Sequence, residues 1–183
     1  MKNFIQLGLA LALIAVPAMA QEKAAPMGKT EANPVSSHLR EVVAENAKNM
    51  VAAAEEMPAD KYSFQPTPQQ MTFAHLVVHA TRANFYLCSK ISGAAAPESK
   101  VAETEGKDKL VAALKSSFDF CTASFAKIDD SNLGDVLPYF GGETISRGGM
   151  MMDLDGDYSD HYAMAAMYLR ATGLLPPTAK KEK

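Results

Sequence analysis

Asp157 and His161 stand four residues apart in the segment 147–173, RGGMMMDLDGDYSDHYAMAAMYLRATG. At that spacing a carboxylate and an imidazole share one face of a helix and can reach a single metal ion, as the ligands of helical zinc motifs do. They interrupt an apolar stripe, because Met150, Leu154, Asp157, His161, Met164 and Tyr168 follow a 4-3-4-3-4 step. Left unpaired on a core-facing stripe, the two groups would cost several kcal/mol. A buried hydrogen bond between them is the simpler alternative to a metal. The segment by itself leaves both readings open.

A second segment supplies a third candidate ligand. FAHLVVHATRANFYLC carries Phe73, Leu76, Ala80, Ala83 and Leu87 on one side, with His79 beside them and His75 one turn earlier. The chain has only 4 histidines, and three of them are His75, His79 and His161. Bundle sites are built from side chains on facing helices. His79 with Asp157 and His161 would provide two imidazoles and one carboxylate. That set suits a divalent metal (zinc, nickel, iron or manganese) and leaves positions open for water or substrate. A satisfied core histidine is the alternative for His79. His75 reads as a rim residue, and His38 as an exposed residue in the first turn of its helix. Residues 153–157, DLDGD, are not a calcium loop, since the sixth and twelfth positions hold Tyr158 and Met164 where Gly and Glu are required. Asp153, Asp155 and Asp160 read instead as solvated residues on the polar side of the helix. Gly156, costly in a helix by ~1 kcal/mol against Ala, suggests a close helix approach or a ligand.

The elements that must hold these residues are helical. A first helix is expected over about Ser36–Glu56, with Leu39, Val42, Val43, Ala47, Met50 and Ala54 buried and Met57-Pro58 ending it. A connector to Gln70 places Tyr62 and Phe64 in the core. The second helix runs from about Thr72, as N-cap, to Ile91. A loop marked by Gly93, Pro97 and Gly106 precedes the third, about Lys107–Ile128, whose stripe is Leu110, Leu114, Phe118, Cys121 and Phe125. Residues 129–143 read as a loop, and the fourth helix begins near Thr144–Arg147 and closes at Gly173, ahead of Pro176-Pro177. No strand alternation of useful length is present. Four amphipathic helices in one domain argue for an all-α four-helix bundle.

Composition narrows the functional classes. Met1–Ala20 has a basic start, an apolar run too short to span a bilayer well, and an A-x-A ending. It reads as a signal peptide followed by export to a periplasmic or secreted location. The expected organisation is a signal peptide over 1–20, a flexible leader over 21–34, the bundle over 35–178 and a charged tail over 179–183. The formal net charge of -3 gives no electrostatic footprint for nucleic acid, and no later apolar run suits a membrane span. Cys88 and Cys121 are the only cysteines. In an oxidising compartment they either form a disulfide stapling two helices or are two buried small residues.

Two stretches carry a family resemblance. MPADKYSFQPTPQQMTFAHLVVHATRANFYL resembles the DinB-like (DinB/YfiT) superfamily pattern that leads into a ligand histidine on the second helix, here His79. DYSDHYAMAAMYLRATGLLPP resembles the closing helix of that family, with His161 at its last ligand histidine and Tyr168, Leu169, Arg170, Gly173, Pro176 and Pro177 in step. The resemblance implies an up-down-down-up bundle with long connecting loops and a divalent metal at its open end. It also implies a metal-dependent enzyme acting on a small molecule, as thiol S-transferases and a thiol-dependent isomerase are among its relatives; the expected export shifts the enzyme reading from thiol S-transferase toward hydrolase, or toward plain binding. Tyr162, Arg82 and His75 are weaker candidates for polar groups near such a site. Two departures matter: Asp157 replaces the first histidine of H-x-x-x-H, and Ala163-Met164 replaces G-Q. With these, a non-catalytic extracytoplasmic binding module, or a homodimeric assembly module with a degenerate site, is the competing expectation.

Overall fold

Helix α1 (Pro34–Glu56) starts with proline, whose missing N–H is one the first turn would leave unpaired in any case. The computed structural model describes residue 28 and residues 30–180. The signal peptide, most of the leader and the last three residues of the tail lie outside the described residues. Helix α1 has no side-chain cap of its own. Asp130, from a short 3-10 turn far along the chain, supplies it by accepting the amides of Val35 at 2.9 Å and Ser36 at 2.8 Å. The carboxylate also sits at the positive end of the helix dipole.

Helix α2 (Phe73–Ser92) is capped by Thr72, whose hydroxyl accepts the His75 amide at 3.0 Å. Helix α3 (Lys107–Phe125) presents the expected stripe, and Leu110, Leu114, Phe118, Cys121 and Phe125 are all buried. Helix α4 (Arg147–Ala171) is capped by Ser146, which accepts the Gly149 amide at 3.1 Å, and its last carbonyls are closed by Gly173 and Leu174. None of these helices is long and apolar enough to cross a membrane.

Contacts fix the directions of the helices. Lys115 of α3 reaches Glu55 at the end of α1, while Arg40 near the start of α1 donates to Ile128 just past α3, so α1 and α3 are antiparallel. Asn84 donates to Ser117 at 2.9 Å, and Cys88 is bridged to Cys121 with Cα atoms 5.2 Å apart, so α2 and α3 run parallel. Arg147 at the start of α4 donates to the Ile91 carbonyl at the end of α2, and Tyr168 near the other end donates to Met71 at 2.6 Å, so these two are antiparallel. The result is an up-down-down-up bundle, with α1 and α2 each packed against α3 and α4. The parallel α2–α3 pair requires the long return over residues 93–106.

The core is continuous through all four helices, with Tyr168, Phe73, Phe125, Leu114 and Met150 among its fully buried side chains. Tyr62 and Phe64 of the connector pack into it as expected, and the Tyr62 hydroxyl donates to Ala54 at 2.6 Å.

The loop expected over 129–143 is more ordered than its sequence suggests. Strand β1 (Val136–Pro138) pairs antiparallel with β2 (Thr144–Ser146), with Leu137 opposite Ile145. Three-residue strands are too short to leave an alternation signal. The hairpin turns at Gly141 and Gly142, both at positive φ, 65° and 84°. It then leads directly into α4, where a side chain at Gly149 would put its Cβ 2.9 Å from Ile145. Gly156, by contrast, faces open space, so no close helix approach explains it.

Candidate metal centre and its cleft

His79 projects from the middle of α2, Asp157 and His161 from the middle of the antiparallel α4. One donor atom from each lies within 4.8 Å of the others. His79 is exposed, Asp157 half-buried and His161 buried. The His79 and His161 rings meet edge to face at 4.9 Å. All three sequence-derived candidates therefore come together.

A simple Asp157–His161 hydrogen bond does not account for the pair. His161 Nδ1 stands 3.3 Å from Asp157 Oδ2, yet the geometry is not that of a hydrogen bond, and both buried atoms lack any partner. Two buried lone-pair donors without a partner, beside a third, are what a divalent cation would satisfy. Donors on one tetrahedral zinc stand ~3.4 Å apart, so the group is slightly expanded. The exposed His79 ring has the freedom to close that difference. The residues fit a divalent metal.

Burial sets the protonation states. Desolvation pushes the Asp157 carboxyl above the usual carboxylate range, against the pull of His161 and His79. Desolvation likewise pushes His161 below the ordinary histidine value, against the attraction of Asp157. A neutral imidazole is the form that ligates metal.

The group opens into a cleft of about 290 Å³. Helix α2 contributes Arg82, Ala83, Tyr86 and Leu87, the same face that carries His79. The hairpin contributes Tyr139 and Phe140 to the other side, with Asp153 of α4. Tyr86 and Phe140 stack with centroids 4.7 Å apart. The Tyr139 hydroxyl donates to Asp153 at 2.7 Å, and that bond pushes the phenol up to about 12. Asp153 is thus a cleft residue that fastens the hairpin to α4, not merely a solvated one.

The weaker candidates divide. Arg82 lines the cleft. His75 pairs with Glu103 at 2.7 Å and its ring lies 6.4 Å from that of His79, a rim position. Tyr162 is engaged elsewhere, exchanging hydrogen bonds with Thr178. His38 is exposed near Glu41, as expected. The sequence reading missed Tyr86, Tyr139 and Phe140. The signal for the last two was present as an aromatic pair directly before Gly141-Gly142, a turn signature that puts bulky rings at a hairpin tip.

A family model described as the DinB superfamily matches residues 43–152, a span that includes His79 and stops short of Asp157 and His161. No curated protein matches the sequence. Among solved structures, the chain is similar to a DinB-like protein from Bacillus subtilis at 19% identity and TM-score 0.64, covering 79% of this chain and 99% of that one. A DinB-like protein from Bacillus cereus is similar at 12% identity and TM-score 0.64, covering 77% and 95%. A mycothiol-dependent maleylpyruvate isomerase is similar at 10% identity and TM-score 0.57, covering 70% of this chain and 59% of that one. At these identities the likenesses show a shared fold.

Proposed function

This chain belongs to the DinB superfamily, and from that membership we propose that it is a metal-dependent enzyme whose divalent ion is held by His79, Asp157 and His161. The observation that carries the reading is the meeting of three donors from two helices, two of them buried and partnerless, beside an open cleft that His79 and Asp157 line. A divalent ion at such a site supplies Lewis-acid polarisation of a water, thiol or carbonyl.

The chain's own residues then have separable tasks. Asp157 contributes the one negative charge of the set, and the two imidazoles contribute neutral donors. The Tyr139–Asp153 bond holds the hairpin beside the cleft, and Phe140 stacks on Tyr86 of α2. Hydrolysis is favoured over thiol transfer by the expected export of the chain, because low-molecular-weight thiols are cytosolic reagents. Export is supported by the charged, apolar and small-residue succession over 1–20 and by the Cys88–Cys121 bridge.

The test is a turnover screen of small esters, amides and thiol acceptors with protein loaded separately with zinc, nickel, iron and manganese. Activity is expected with at least one ion and should vanish in His79→Ala. Activity that survives in His79→Ala at full rate would overturn the assignment.

A further inference from the structure

The cleft beside the metal group has a lining that holding an ion does not require. Its volume of about 290 Å³ sets a size limit. An apolar cavity of ~150 Å³ accommodates one benzene, and drug-sized ligands occupy ~300–1,000 Å³. The cleft therefore has room for one ring with a short substituent.

The walls set the chemistry. Phe140 is 52% exposed although it is a large apolar side chain. Its ring stacks face to face on Tyr86 with an interplanar angle of 23°, and Lys90 lies over the Tyr86 ring at 5.7 Å, so Phe140 is the aromatic surface left for a ligand, beside Ala83 and Leu87. Planar rings are the complement of such a surface. Arg82, one turn from His79 on α2, is the only Lys or Arg in the lining. One of its terminal nitrogens donates to the Val101 carbonyl at 3.0 Å, which steadies the guanidinium and leaves further N–H donors of the fork for an oxyanion. On the facing wall the Asp153 carboxylate is tied to Tyr139. A ligand anion is thus repelled from the α4 side and drawn to Arg82.

We propose that the cleft binds a monocyclic aromatic carboxylate, its ring against the exposed Phe140 and its carboxylate on Arg82. The metal reading enters only in placing the ligand's reacting group beside His79, Asp157 and His161; recognition rests on Arg82 and Phe140.

Benzoate binding, measured by ligand-observed NMR titration on metal-free and metal-loaded protein with metal content assayed on the same samples, tests this. Benzoate should bind at least ~10-fold more tightly than acetate, which lacks the ring, or benzyl alcohol, which lacks the charge. Arg82→Gln should weaken benzoate roughly 10-fold and leave benzyl alcohol unchanged, because charge-assisted bonds are the ones lost. Phe140→Ala should weaken both ring compounds. Both side chains are exposed, so neither variant threatens the fold. Unchanged benzoate affinity in Arg82→Gln, or acetate binding as tightly as benzoate, would overturn the proposal. A protein that takes up no metal defeats the metal reading alone, and the Arg82 and Phe140 dependence in the metal-free form still decides this one.

Discussion

Asp157 places a charge where the surrounding helix is half-buried and no protein group completes its hydrogen bonding. Without a cation, that carboxylate is a cost to the folded state, because desolvation disfavours its charged form. Asp157→Asn keeps the shape and removes the charge. The variant should unfold at a higher temperature than the parent in EDTA, and it should gain less from added zinc, since stabilisation by a bound metal rises with the logarithm of its affinity. Scanning calorimetry of both proteins with and without zinc checks the two opposite signs. At this scale the sequence was informative: a carboxylate and an imidazole on an apolar helical stripe stood out, and His79 could be paired with them because histidines are so few. The cleft residues were harder to read. Tyr86, Tyr139 and Phe140 have the composition of ordinary core aromatics, and only the hairpin brings the last two over α2.

The elements hold the site through devices distant in sequence. Asp130 caps α1, and the balance of effects on its carboxyl shows why this matters. Desolvation pushes it up, but the amides of Val35 and Ser36 and the charge of Arg40 outweigh this and hold it below the usual value. A depressed folded-state pKa contributes stability that is full above the unfolded value near ~3.9 and lost as pH falls through the lower folded value. Asp130→Asn should therefore be less stable than the parent near neutral pH, and the difference should close as pH falls through that lowered value; urea unfolding along a pH series measures it. At the other end of the site, Gly149→Ala would drive a methyl into Ile145 at 2.9 Å. Overpacking of this kind costs ~1–3 kcal/mol, and it should loosen the hairpin, seen as faster hydrogen exchange over residues 136–146. The four helices were legible from periodicity, caps and glycines, and their bounds fall within a few residues of expectation. The hairpin was not, because its pairing is a property of two three-residue strands that meet only once Leu133 and Ile145 pack against the start of α4.

Across the whole molecule, direction and covalent closure decide whether α2 and α4 face each other at mid-height. The up-down-down-up order makes α2 antiparallel to α4, and the contacts of Arg147 with Ile91 and of Tyr168 with Met71 set the register that brings His79 level with Asp157 and His161. The Cys88–Cys121 bridge, closing a loop of 33 residues between parallel helices, limits how far α2 can drift in the unfolded chain. Loop-closure entropy assigns it ~3–4 kcal/mol. Paired replacement by serine should lower the urea-extrapolated stability by about that amount, and thiol titration of the denatured, unreduced parent should find no free thiol. Sequence alone left the two cysteines as either bridged or merely buried, because pairing depends on which helices run side by side. A divalent ion held by His79, Asp157 and His161 would tie α2 to α4. The most direct measurement is elemental analysis of the protein purified without chelator, alongside His79→Ala and His161→Ala. About one zinc, nickel, iron or manganese per chain, lost in both variants, is the predicted result. No bound metal after incubation with each ion, or full occupancy retained in His161→Ala, would contradict it.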